Sequence, residues 1–295
     1  RQRSAQNFAQ ATQTLVAMLN EPLEESRVRL TLLELAATAQ EAGQLARAIQ
    51  VLAQYQERFP EDPAVPEILL RQGLLYRELG ATGMALAKFY GVMTTTLNRK
   101  LDSTGYYQRL VLQAQTEIAE THYRQGDHAQ AIEFFERLLK LDAPELKREE
   151  IHVRLIRSLA AAGRWADVRA RADEFHRAGH SDPEVEFWHI RALAHTGAPR
   201  PAVEAALRLL GREDAGAWGR RAGNELANHL YQAGDFLNAR AVYEALAEVD
   251  PAPQWRVPVL YQLGLTCERL QQPADAAAAY TAVAEHAKRL SAPVA

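Results

Sequence analysis

Cysteine occurs once in the 295 residues, at Cys267, which excludes an intrachain disulfide framework and leaves the redox compartment open. Its place on an apolar helix face marks it as a buried structural thiol. No run of about 18 apolar residues occurs, so no segment is long enough to cross a bilayer as a helix. A dominant charge sign is missing too. Lys+Arg 34 against Asp+Glu 37 leaves a net charge of −3, which argues against nucleic acid or an anionic membrane surface as partner. The HExxH, CxxC and GxSxG motifs are absent. Gly 16 and Pro 13 are few enough to punctuate the chain rather than fill it, which argues against disorder. The chain opens RQRSAQNFAQ, without methionine or a hydrophobic signal core, and reads either as a processed chain or as a trimmed fragment.

What is present is a helical, alanine-rich pattern, with 47% apolar residues. The stretch Leu226–Pro251, LANHLYQAGDFLNARAVYEALAEVDP, holds two amphipathic helices joined at Gly234. Leu226, Ala227 and Leu230 mark one apolar face; Ala239, Tyr243 and Leu246 mark the other. Gly234 suits the left-handed turn because it has no Cβ to clash. Asp250–Pro251 closes the pair, since proline lacks a donor and disfavours helix before it.

The turn glycine serves as a ruler. Gly43, Gly80, Gly126, Gly163, Gly197 and Gly234 share the position, Gln271 stands there last, and the steps are 37, 46, 37, 34, 37 and 37 residues. Full repeats follow at about 27–61, 66–97, 103–144, 149–180, 183–211, 220–251 and 257–289, with a half-repeat helix over 1–20, in one array across 1–295. Within the half-repeat, Ala11, Leu15 and Met18 fall at core positions. The 46-residue step predicts longer helices flanking Asn98–Leu110 rather than a structureless loop. In the fourth repeat Val168 and Ala172 replace the usual alanine and aromatic. Gly211–Gly223, GREDAGAWGRRAG, lacks the Walker spacing and reads as a connector.

The search for chemistry finds no catalytic constellation, no metal set and no cofactor motif. His176 and His180 are four apart but straddle a helix end, and the repeat places no third ligand, so they read as a surface pair. His189 and His195, six apart, do not share a helix face. Charge is uneven: residues 147–221 hold 14 basic and 11 acidic side chains, while the flanking segments are each net acidic.

Small residue, turn glycine, alanine, aromatic and proline in this order resemble the tetratricopeptide repeat, whose period is about 34 residues. The resemblance covers nearly the whole chain. It implies an all-α solenoid, a right-handed superhelix of antiparallel helix pairs, in which first helices line a groove for an extended protein segment. Carried over by register, the groove positions are Tyr123, Arg124, Arg157, Phe187, Arg191, Arg221, Asn224, Asn228 and Tyr231. Their chemistry suits backbone and carboxylate recognition, so the expected partner is an acidic protein or peptide segment. The lysines of the chaperone-tail carboxylate clamp are missing at their places. A narrower stretch, ERFPEDPAVPEILLRQGLLYRELG, is similar to repeats of bacterial cell-envelope proteins of the outer-membrane-lipoprotein type, which tilts the expected location towards the envelope. The implied role is a non-catalytic interaction scaffold; the alternative is a recruiting or regulatory domain of a larger enzyme or regulator. Oligomeric state stays open.

Overall fold

The structure, a computed structural model, describes residues 5–98, 105–249 and 252–291. Among these residues there are fifteen α-helices and no strand. The chain divides into two compact units, Arg1–Leu141 and Asp142–Ala295. The first holds α1 (Ala5–Leu19), α2 (Glu25–Glu41), α3 (Leu45–Arg58), α4 (Val65–Glu78), α5 (Thr82–Asn98), α6 (Gly105–Gln125) and α7 (His128–Leu139). The second holds α8 (Arg148–Ala161), α9 (Trp165–Arg177), α10 (Pro183–His195), α11 (Pro199–Leu210), α12 (Gly216–Gln232), α13 (Phe236–Val249), α14 (Pro253–Arg269) and α15 (Pro273–Ser291).

Seven helix pairs, α2/α3 to α14/α15, turn at the positions of the ruler. The six glycines there have φ between 70° and 80°, and Gln271 takes φ 58° in the same role. At each turn the residue after the left-handed one donates its N–H five residues back, as Gln44 to Ala39 (2.8 Å), Asp235 to Leu230 (2.9 Å) and Gln272 to Cys267 (2.9 Å). This bond satisfies a carbonyl that the helix end leaves open. The geometry demands a left-handed residue, which is why glycine recurs.

Each pair buries small residues where its helices approach and a ring or large aliphatic beside them. Ala48, Leu52 and Tyr55 do so in α3, Ala85, Phe89 and Val92 in α5, Ala131, Phe135 and Leu138 in α7, and Ala239, Tyr243 and Leu246 in α13. In α9, Val168 and Ala172 are fully buried and Phe175 supplies the aromatic one turn later. At two crossings an aromatic ring closes on a glycine. A Cβ on Gly73 would lie 2.4 Å from the Phe89 ring, and one on Gly264 would lie 2.4 Å from the Tyr280 ring.

Two sequence expectations shift. Gly216, Gly219 and Gly223 lie within α12 rather than in a connector, which shrinks to the few residues before Gly216. A Cβ on Gly219 would meet Ala215 at 2.8 Å, and one on Gly223 would meet Leu246 at 2.9 Å, so these glycines serve close packing. In α1 Leu15 packs towards the core as expected, whereas Met18 is exposed and Leu19 packs there instead. Around the long step, α5 has 17 residues and α6 has 21; residues 99–104 between them, like Asp250–Pro251, lie outside the described residues. The start of α6 is fixed by hydroxyls: Tyr107 donates to the Pro63 carbonyl (3.3 Å), and Tyr106 donates to Glu67. Burial and that carboxylate push the Tyr106 phenol up to about 12. Cys267 is buried, and burial raises its thiol above the ordinary value. No helix among the described residues is long and apolar enough to cross a membrane.

Candidate functional site

The site-bearing helix of the second unit is α10. Its start is set by Asp182, whose carboxylate accepts from the Glu184 N–H (2.8 Å) and the Val185 N–H (3.2 Å), with Pro183 in the first turn. Such a cap stabilises a helix by about 1 kcal/mol. From that start, α10 packs against α8 and α12, which are the first helices of the neighbouring pairs. A cleft of about 260 Å³ lies between α10 and α12, lined at its edges by Arg191, His195, Glu225, Asn228, His229 and Gln232.

Arg191 and Arg221 share one carboxylate. Arg221 Nε lies 2.8 Å from Glu225 Oε1, and Arg191 Nε lies 3.3 Å from Glu225 Oε2. Both guanidiniums also rest on rings: Arg191 over Trp165 (5.3 Å), Trp188 (5.2 Å) and Phe187, and Arg221 over Phe187 (4.7 Å) and Trp218 (5.7 Å). Ring stacking holds a guanidinium plane in place and costs it no hydrogen-bond donors. The arrangement carries two positive charges against one negative, oriented before any ligand arrives. His195 stacks flat on Trp165 (4.1 Å, 6°) and faces His229 at 5.8 Å. Partial burial, then His229 and Arg191, hold its imidazole below the ordinary value.

The positions expected from the repeat register separate into groups. Tyr123 and Arg124 belong to the first unit, where Tyr123 meets Phe135 edge-on (6.2 Å) and Arg124 is exposed. The other seven belong to the second unit. Arg191 and Asn228 line the cleft, and Arg221 joins them through Glu225. Asn228 Oδ1 accepts from the Tyr243 hydroxyl (2.7 Å), whose phenol burial pushes up to about 12. Asn224 is half-buried beside them on α12, and Tyr231 accepts from Arg269 Nε (3.4 Å) and packs edge-on to Phe236.

Two expectations are corrected. Phe187 is fully buried, under Arg221 and against Trp188 and Trp218, so it supports the arginines and offers no surface. Arg157 grips the buried Glu184 through Nε and Nη2, and Trp188 Nε1 donates to the same carboxylate (3.2 Å). A bidentate grip on a buried carboxylate makes Arg157 a structural cation that ties α8 to α10. The register also passed over Glu225, His195, His229 and the three tryptophans; residues flanking the groove positions by three or four along the helices were the available signal.

The histidines also regroup. His180 Nδ1 turns to Glu149 (2.9 Å), while His176 Nε2 lies 3.2 Å from Glu186, a residue of the next helix.

Sequence models described as tetratricopeptide repeat match residues 31–62, 112–144 and 224–292, which correspond to α2/α3, α6/α7 and the last four helices. Two solved structures share the fold over most of the chain. A tetratricopeptide repeat protein from Parabacteroides merdae is 14% identical, with 88% of this chain and 93% of that one covered at a TM-score of 0.51. The C-terminal part of a repeat-containing protein of the same kind from Cytophaga hutchinsonii is 15% identical, with 85% and 93% covered at 0.59. The search of curated proteins finds no match. The chain is a tetratricopeptide repeat protein of the all-α solenoid class, an architecture typical of protein-interaction modules.

Proposed function

We propose that the chain is a non-catalytic interaction scaffold whose second unit binds an extended, acidic protein segment along α10 and α12. The observation that carries this reading is the Arg191–Glu225–Arg221 arrangement at the lip of the cleft. Two ring-supported guanidiniums share one carboxylate and retain terminal nitrogens with capacity for another, since each guanidinium has five donors. Asn224 and Asn228 add amide groups for a ligand backbone, and Tyr231 gives apolar contact. The net positive segment of the sequence covers α8 to the start of α12, which favours a negative ligand over a positive one. Tyr123 and Arg124 form the corresponding register positions of the first unit. The envelope location rests on the stretch from Glu57 to Gly80 alone.

The test is a binding measurement with labelled extended peptides of matched length, one rich in glutamate and one rich in lysine. The acidic peptide should bind and weaken with added salt, because screening shortens the reach of the arginines. Changing Arg191 and Arg221 together to alanine should reduce affinity about tenfold or more, at about 1.5–3 kcal/mol per shielded charge-assisted bond. Equal affinity in that variant, or preference for the lysine peptide, would move the site elsewhere.

A further inference from the structure

Helices α9 and α10 each carry a carboxylate and a histidine three residues apart, Asp173 with His176 and Glu186 with His189, and the pair turns these motifs towards one another. His176, Glu186 and His189 each present one ligand atom, and the three atoms lie within 4.8 Å of one another. His176 Nε2 is 3.2 Å from Glu186 Oε1, and His189 Nδ1 is 4.0 Å from Glu186 Oε2. The two imidazoles meet edge to face at 5.4 Å. We propose that these three side chains form a binding site for a divalent transition-metal ion of the zinc class, clamping α9 to α10.

Distance supports this first. Two ligands on a tetrahedral zinc, with bonds of about 2.0–2.2 Å, sit about 3.3 Å apart. The His176 Nε2–Glu186 Oε1 separation already has that value, while His189 Nδ1 lies 4.0 Å from the other oxygen, so side-chain rotation has to draw in a group whose ligand atoms lie within 4.8 Å of one another. Donor chemistry comes second. Two imidazoles and a carboxylate suit zinc, cobalt or nickel, whereas magnesium and calcium take oxygen sets.

The polar accounting is the third support. His176 Nε2 and His189 Nε2 are both shielded from solvent, and neither makes a hydrogen bond. Each lies at contact distance from a carboxylate, Glu186 at 3.2 Å and Asp173 at 3.1 Å, but out of line for a bond. Buried polar atoms are normally satisfied, and an ion or a ring rotation on ligation would satisfy these. His189 faces Glu186 with one nitrogen and Asp173 with the other. With Nδ1 as the ligand, Nε2 faces Asp173 at 3.1 Å, where a small ring rotation makes that carboxylate the outer partner that metal-bound histidines commonly have.

The experiment uses the full chain, stripped with chelator, titrated with Zn²⁺ by calorimetry and with Co²⁺ by visible absorption. One equivalent should bind, the cobalt form should show the intense visible bands of tetrahedral coordination, and zinc should raise the thermal midpoint. His176→Asn and His189→Asn should each weaken zinc by more than a hundredfold, and Asp173→Asn by about 10–100-fold. His128→Asn, at the start of α7 in the first unit, should leave zinc affinity unchanged. Should a ligand variant fail to fold, zinc protection of histidines from diethyl pyrocarbonate in the wild-type chain, mapped by mass spectrometry, decides the matter. Protection of His176 and His189 supports the site. Absence of binding, protection of other histidines, or unchanged affinity in folded His176→Asn and His189→Asn overturns it.

Discussion

Replacing Arg157 by alanine should destabilise the second unit more than any other surface arginine would. The Glu184 carboxylate is only 8% exposed as a residue and loses both bonds of its bidentate grip, keeping the Trp188 Nε1 donor at 3.2 Å. Breaking a fully buried pair from one side costs about 3–5 kcal/mol, because the remaining charge is left uncompensated. Here the Arg157 side chain is 39% exposed, so water screens part of the interaction and the expected cost falls to about 1.5–3 kcal/mol. The readout is specific, since all four tryptophans, Trp165, Trp188, Trp218 and Trp255, lie in the second unit. Urea unfolding followed by tryptophan fluorescence should show the midpoint drop with an unchanged slope. Adding Glu184→Gln to the Arg157→Ala background should recover part of the loss, because an amide carries no charge to strand. A loss below about 0.5 kcal/mol, the scale of an ordinary surface substitution, would refute the reasoning. So would a double variant no more stable than the single.

Three further outcomes follow from the packing and turns. Gly73→Ala gains about 1 kcal/mol of helix propensity but places a methyl against Phe89, which is fully buried and cannot swing away. Overpacking of about 1–3 kcal/mol should prevail and lower the thermal midpoint, whereas Gly264→Ala should cost less because Tyr280 is half-buried and can move. Gln271→Gly should raise stability by about 0.5–1 kcal/mol in denaturant titration, since a side chain at φ 58° is strained and glycine is not. Acidification should destabilise the fold through His152, which burial holds below its ordinary value, aided by Arg148, Arg171 and His180 and opposed by Glu174. The unfolded chain takes up that proton first, so the stability is full above about pH 6.5 and is lost as pH falls towards the folded value. Thermal midpoints at pH 7.5 and 5.5 should differ by less in His152→Gln than in the wild type.

The helix pairs were legible in the sequence because their turns require a left-handed residue, which leaves a glycine at each step and makes even Gln271 stand out. Gly219 and Gly223 were misleading for the opposite reason: they are glycine for want of space, beside Ala215 and Leu246, a fact hard to see along one dimension. Arg191, Arg221 and Asn228, named by register, lie close to one another because helical spacing fixes a face. Register could not show that Phe187 lies beneath Arg221, or that Arg157 meets a carboxylate 27 residues away. The His176–Glu186–His189 group escaped notice because it depends on side chains reaching across a turn between two helices. The spacing of His176 and His180 along the chain pointed to a different pair.

The most direct test of the binding account is the affinity of Glu225→Gln for the acidic peptide. In the wild-type chain Glu225 offsets part of the positive charge of both arginines and so weakens their attraction for a ligand carboxylate. Removing that charge while keeping the shape should leave Arg191 and Arg221 on their rings and raise affinity several-fold, with a steeper dependence on salt. A gain of function cannot arise from misfolding, which makes the sign of the change decisive. Tighter binding by Glu225→Gln is the expected result; unchanged or weaker binding would contradict the assignment of the ligand to these two arginines.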